Sequence, residues 1–149
     1  MMLKKLPFAL ATAALLSACS ADPSASELID ANGAIVRSET GEAGKAVTIN
    51  SQEAKALLEQ HKELVVLDVR THGEHQAGHV AGAILLDYYS PDFEQRLKEL
   101  DPSKPYLVYC TVGGRSRDAA RLMQELGFEQ VYDAVEGFQA LQRAGVPVD

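Results

Sequence analysis

Apolar positions change period repeatedly between residues 45 and 149, and each change marks an element. Leu64–Asp68 (LVVLD) and Pro105–Tyr109 (PYLVY) are near-continuous apolar runs of strand length, as expected of strands covered on both faces. Lys45–Ile49, Ala83–Leu86 and Gln130–Asp133 read as shorter strands. Helical spacing separates them. Ser51 caps a helix whose Ala54, Leu57 and Leu58 face inward, and Ser90-Pro91 opens another at N-cap and N1, with Phe93, Leu97 and Leu100 as its stripe. Ser116 caps a third, carrying Ala119, Ala120, Leu122, Met123 and Leu126 and closed by Gly127. A last helix spans Gly137 to Ala144, stopped by Gly145 and Pro147. Strands alternating with helices predict an α/β fold with a mostly parallel central sheet and helices on both faces. No internal repeat appears, so a single module is expected over residues 45–149.

The first 44 residues follow none of these periods. Lys4 and Lys5 precede an apolar run, Leu6–Leu16, that is too short to span a bilayer. It ends in Leu16-Ser17-Ala18-Cys19, which resembles the bacterial lipobox, where cleavage precedes a cysteine that is then lipidated. An ordinary signal peptide cut near Ala18, or a short anchor helix, are the alternatives. The expected organisation is a lipoprotein signal peptide at 1–18, a lipidated Cys19 with a flexible tether over 19–44, and the folded domain at 45–149. By resemblance to lipoprotein sorting, Ser20 after the cysteine points to the outer membrane, facing the periplasm. Ala34–Arg37 could form a strand, but only Lys45–Ile49 is assigned to the domain. A flexible tether of about 25 residues reaches roughly 25–30 Å, enough to hold the domain clear of the headgroups.

Charge and cysteine content narrow the function. The formal net charge is −7, and removing residues 1–18 deletes two lysines and no acid, making it more negative. Such a chain does not suit non-specific nucleic-acid binding, and contact with the membrane is expected only through the N-terminal lipid. With Cys19 lipidated, Cys110 is the single thiol of the mature protein. That excludes an internal disulfide and any C-x-x-C oxidoreductase. A monomer is expected.

Cys110 sits where chemistry is expected, at the carboxyl end of a buried strand and ahead of a helix. Residues Thr111, Val112, Gly113, Gly114 and Arg115 can turn backbone N–H groups inward, with the glycines allowing close approach. The helix N-terminus and the Arg115 guanidinium add positive charge. Each favours the thiolate. The alternative is an inert core cysteine.

Cys110-Thr111-Val112-Gly113-Gly114-Arg115-Ser116 resembles the active-site loop C-x-x-G-x-R-[ST] of the rhodanese (sulfurtransferase) domain. Asp68-Val-Arg70, Glu74 and Gly78-His79-Val80-Ala81-Gly82-Ala83 are similar to that family's D-V-R…E…G-H-I-x-G-A segment. Gly127-Phe128, Val131-Tyr132 and Glu136-Gly137-Phe138 are similar to its closing strand and helix. The resemblance runs in order from about Thr48 to the C-terminus.

It implies a rhodanese fold and a sulfurtransferase without cofactor. Cys110 would be the nucleophile, residues 111–116 would bind the substrate anion, and Asp68 and Arg70 would support the site, with Arg70 expected to pair with Glu74. The implied partners are a small-molecule sulfur donor and a thiol or cyanide acceptor. Alternatives are a non-catalytic rhodanese-like binding module, or a phosphatase or arsenate reductase of the related C-x5-R type, whose loop is one residue longer. His72, His75 and His79 are read as loop and structural residues, not as a metal site. Leu141 stands where the family usually has Trp and His75 where it usually has an aromatic. Thr111 and Val112 bring no charge where sulfurtransferases often carry Arg or Lys, which predicts a poor fit for thiosulfate.

Overall fold

A computed structural model describes residues 27–29, 35–37 and 46–149. Within the stretch read as a tether, β1 (Glu27–Ile29) and β2 (Ile35–Arg37) pair antiparallel in a two-stranded sheet. A strand at 35–37 is therefore present where the sequence predicts tether. Cys19 and the signal sequence lie outside the described residues.

The remaining elements are β3 (Val47–Ile49), α1 (Ser51–Gln60), β4 (Val65–Asp68), α2 (His72–Gln76), β5 (Ile84–Leu85) and α3 (Phe93–Lys98). They are followed by β6 (Pro105–Tyr109), α4 (Gly114–Glu125), β7 (Gln130–Ala134) and α5 (Phe138–Arg143). The five strands form one sheet in the order β3-β7-β6-β4-β5, and every neighbouring pair is parallel. The mostly parallel expectation becomes an all-parallel sheet, with β6 at its centre. The carboxyl ends of β4, β6 and β7 consequently open on one edge.

The period of two in β6 divides the core. Tyr106, Val108 and Cys110 point to the face covered by α3 and α4, with Phe93, Leu97, Ala119, Ala120 and Met123. Leu107 and Tyr109 point to the other, with Ala54 and Leu57 of α1 and Leu141 of α5. Adjacent side chains of one strand thus belong to separate cores.

Several caps differ from expectation. Asn50, not Ser51, caps α1: its side chain accepts from the N–H groups of Gln52 and Glu53 at 2.9 and 3.0 Å, and the Glu53 carboxylate accepts from the Asn50 N–H at 2.7 Å. Ser51 is freed to donate to Glu136 at 2.6 Å. α3 begins at Phe93, behind Asp92, because Ser90 and Pro91 are spent in a turn closed by Phe93 N–H to Ser90 C=O at 3.1 Å. α4 begins at Gly114 behind Gly113, which puts Ser116 inside its first turn instead of at its cap. Finally, α2 forms where the sequence predicts loop around His72 and His75. It has no apolar stripe to announce it and is held by the Thr71–Glu74 capping box.

Candidate functional site

The geometry of the Cys110 loop follows from the β7–α5 turn behind it. Gly113 adopts φ +87°, and a Cβ there would lie 2.0 Å from the Val135 carbonyl oxygen. Gly137 adopts φ +77°, and a Cβ there would lie 2.1 Å from the Thr111 carbonyl oxygen. The two backbones are in reciprocal contact that only glycine permits. Phe138 N–H donates to the Cys110 carbonyl at 2.8 Å and locks the junction. Gly137 is thus part of the site's construction. In the sequence it stands only as a helix start and a family position.

This packing curls the loop around the sulfur. Gly113 N–H points at Cys110 Sγ from 3.0 Å. Burial pushes the thiol pKa up, but backbone N–H groups of Ser116, Val112 and Gly113, together with the Ser116 hydroxyl, outweigh it and bring the thiol below its ordinary value. Cys110 is only 1% exposed, so the sulfur lies at the base of the cradle. Gly114 is the first residue of α4, so the Ser116 N–H that acts on the sulfur comes from that helix's first turn. Val112 is the exposed residue of the loop, at 80% exposure, and the exposed Tyr89 lies beside the Arg115 guanidinium. An open groove of about 590 Å³ lined by Tyr88, Phe93, Asp118, Arg121 and Leu122 lies along α3 and α4 and does not include Cys110.

Arg115 does not point its charge into free space. Its Nη1 and Nη2 donate to the two carboxylate oxygens of Glu74, each at 2.8 Å, and Nη2 also donates to Thr111 Oγ1 at 2.7 Å. Thr111 Oγ1 makes a further short hydrogen bond to Glu74. Arg115 holds the Glu74 carboxyl well below the usual carboxylate range, and Glu74 raises the Arg115 pKa in turn. The Arg115 guanidinium also lies 5.6 Å from the Tyr89 ring centroid. This corrects the expected pairing of Glu74 with Arg70.

Arg70 instead binds Asp68. Its Nε and Nη2 reach the carboxylate at 2.9 and 2.6 Å, and Nη2 also donates to the Gly78 carbonyl at 2.8 Å. Asp68 further accepts from Tyr109 OH at 2.8 Å and His75 Nδ1 at 2.9 Å. Burial pushes the Asp68 pKa up, but these donors more than offset it. The Arg70 guanidinium stacks 4.1 Å from the Phe138 ring centroid. Asp68 and Arg70 therefore form a buried strut on the sheet face opposite Cys110. His75 is part of that strut, not a solvated loop residue, and its ring stacks on His79 with centroids 3.7 Å apart. Among the described residues no cluster of three or more His, Cys, Asp or Glu is arranged to hold a metal ion.

Ser116, expected in the anion loop, is accompanied by a buried Asp133 that the sequence reading did not single out. Both are buried, and Ser116 Oγ and both Asp133 carboxyl oxygens lack a hydrogen bond of ordinary length and angle. The signal for Asp133 is an acidic residue at an apolar position of β7, two after the buried Val131.

Comparison with known proteins places this architecture. The chain is 41% identical over 83 residues to the tRNA uridine(34) hydroxylase of Cytophaga hutchinsonii, covering 54% of this chain but 26% of that protein. It thus spans about a quarter of the length of that relative. It is 33% identical over 101 residues to the thiosulfate sulfurtransferase GlpE of Vibrio cholerae, covering 68% of this chain and 92% of that one. Among solved structures, the rhodanese-like domain of an Anabaena protein superposes with a TM-score of 0.63 at 25% identity, covering 70% of this chain and 80% of that one. A rhodanese-related protein of Thermoplasma volcanium superposes with a TM-score of 0.60 at 31% identity, covering 69% and 97%. The family profile of the rhodanese-like domain matches residues 50–144. With the all-parallel sheet and the Cys110 loop at its edge, this chain belongs to the rhodanese-like domain family.

Proposed function

We propose that the protein is a sulfurtransferase working through a Cys110 persulfide. The observation that carries this reading is the Cys110 sulfur at the base of a ring of N–H donors, with its pKa lowered despite burial. The thiolate attacks the outer sulfur of a sulfane donor such as thiosulfate. One S–S bond forms to Cys110 as the donor's S–S bond breaks, and sulfite leaves with the electron pair. The persulfide's terminal sulfur anion sits among the loop N–H groups, as an oxyanion sits among the donors that stabilise it. Cyanide or a thiolate then takes that sulfur and regenerates the Cys110 thiolate, which gives ping-pong kinetics.

The similarity to GlpE over most of its length supports this assignment. Four residues between Cys110 and Arg115 favour a small sulfur anion over a tetrahedral phosphate. The acidic balance argues against tRNA as substrate, and the hydroxylase similarity spans only a fraction of those proteins. Export and lipidation at Cys19 complete the proposal on sequence grounds. Labelled-fatty-acid incorporation lost in Cys19→Ser tests that part, and no incorporation in the parent chain overturns it.

The central test is the intact mass before and after thiosulfate or polysulfide. A gain of about 32 Da, reversed by cyanide and absent in Cys110→Ser, is expected for a persulfide. A gain with polysulfide alone keeps the chemistry and changes the donor. No gain with either donor sinks the assignment and leaves the binding-module reading.

A further inference from the structure

The Cys110 loop can hold a sulfur but offers little to hold the molecule that takes it away. The cysteine is 1% exposed, and Arg115 is not free to bind an acceptor, because both its Nη atoms are bonded to Glu74 and Thr111. Recognition of an acceptor then falls to the surface beside the loop, where contacts remote from the reacting atom supply binding energy. The open groove of about 590 Å³ between α3 and α4 is such a surface. Its Tyr88 ring meets the Tyr89 ring edge to face at 5.5 Å, and the Tyr89 ring lies 5.6 Å from the Arg115 guanidinium. Arg115 in turn binds Thr111, the residue after Cys110. One end of the groove is thus joined to the loop.

The groove has an apolar floor and an acidic rim. Phe93 is buried, Tyr88 and Leu122 are half-buried, and the Tyr88 and Phe93 rings meet edge to face at 5.2 Å. Asp118, Arg121, Leu122 and Glu125 recur at helical spacing, so the groove follows α4 for about 10 Å, beginning one turn past Arg115. That length suits about three residues of an extended segment or two turns of a helix. The exposed charges are the carboxylates of Glu94, Asp118 and Glu125 against the single guanidinium of Arg121. Arg121 lies 3.1 Å from Asp118, and Lys98 lies 2.6 Å from Glu94. Both are exposed pairs within one helix, which solvent screens and which yield readily to a better partner. Glu125 has no ion pair among the described residues. The excess charge is negative, so the rim repels anions and attracts basic side chains, whose aliphatic stems suit the aromatic floor.

We propose that this groove docks a basic, partly apolar segment of the protein that accepts the sulfur, and so brings that protein's thiol to the Cys110 loop. The proposal rests on the sulfurtransferase reading. Lysine or arginine side chains of the segment meet the rim carboxylates, and its apolar side chains cover Tyr88, Phe93 and Leu122. The partner's thiol gives its proton to solvent, and its sulfur attacks the outer sulfur of the Cys110 persulfide. A new S–S bond forms on the partner as the persulfide's own S–S bond breaks, and Cys110 leaves with the electron pair as a thiolate. The loop treats every thiolate alike, whereas the groove selects among them. Cyanide, which has no segment to dock, needs only the loop.

Two synthetic peptides of equal length serve as probes, each with one terminal cysteine and with leucines interspersed by lysines in one and by glutamates in the other. Each discharges the full chain loaded with polysulfide, followed as the loss of about 32 Da. At low salt the lysine peptide is expected to half-saturate discharge at roughly a tenth of the concentration the glutamate peptide needs, and the gap narrows as salt rises. The combined variant Glu94→Gln, Asp118→Asn, Glu125→Gln closes the gap and leaves discharge by cyanide unchanged. A control of equal net charge, Glu59→Gln, Glu63→Gln, Glu129→Gln, alters acids outside the groove and keeps the gap. Equal half-saturation by the two peptides, or a gap that survives the groove variant, overturns the proposal. A gap lost in the control as well assigns the effect to net charge and also overturns it. Cyanide discharge separates the two claims: where it proceeds normally without a peptide gap, only the groove fails, and where no sulfur is loaded or cyanide removes none, the sulfurtransferase reading fails and this proposal with it.

Discussion

Replacing Glu74 by Gln isolates what the Arg115 clamp contributes. The amide preserves shape and leaves one oxygen to accept from Thr71, whose N–H and Oγ1 lie 2.9 and 2.8 Å from the carboxylate. It removes the charge, and its NH2 group faces the Arg115 fork donor to donor. Two charge-assisted bonds at 2.8 Å would be worth about 1.5–3 kcal/mol each in a buried setting. The side chains are 16% and 33% exposed, so solvent screens part of that. A net loss of about 2 kcal/mol follows, which for a domain of about 100 residues lowers Tm by roughly 8–16 °C. Denaturant titration of both chains between pH 3 and 8 measures it. Because the Glu74 pKa is lowered by folding, its contribution is complete above the ordinary value of 4.5 and is lost as pH falls through the folded value. The difference between the two chains should stay level from pH 8 to about pH 5 and shrink only in stronger acid. A difference below about 0.5 kcal/mol at pH 7 would make the clamp an ordinary solvent-screened pair. A difference already gone at pH 5 would refute the depressed pKa.

Two further substitutions probe the frame. Tyr109→Phe removes the hydroxyl that donates to Asp68 and accepts from Val80 N–H at 3.1 Å; leaving that buried N–H unpaired should cost about 1–3 kcal/mol by denaturant titration, and an unchanged midpoint would show that solvent reaches it. Gly113→Ala drives a methyl into the Val135 carbonyl at a left-handed φ, so the loop must move. Persulfide formation should fall at least about tenfold while the far-ultraviolet circular dichroism of the sheet persists, and unchanged turnover would contradict the reciprocal glycine contact.

The sheet and the place of Cys110 are legible in the sequence because both rest on apolar period and length: β4 and β6 could be buried only in the middle of a sheet. The Cys110–Ser116 spacing likewise announces its loop. Less is legible where polar groups choose among near-equal partners. Arg70 has Asp68 two residues before it and Glu74 four after. Only the fold shows that Tyr109 and His75 converge on Asp68 while Arg115 arrives to take Glu74. α2 has too few residues and no apolar stripe, although Thr71-x-x-Glu74 carries a capping signature that points to it. Asn50 and Ser51 compete for one cap, and the distant Glu136, by binding Ser51, settles it.

Tyr109 and Cys110 are consecutive residues, yet the pleat of β6 turns one to the Asp68 strut and the other to the thiolate cradle. The sheet therefore works as a partition between rigidity and selectivity. Replacements at the exposed Val112, whose N–H faces the sulfur, should change what reaches it while leaving stability within about 0.5 kcal/mol, since the Asp68 strut lies beyond the wall. If the proposed sulfur transfer holds, a scaffold divided in this way can exchange one sulfur donor for another through surface changes alone.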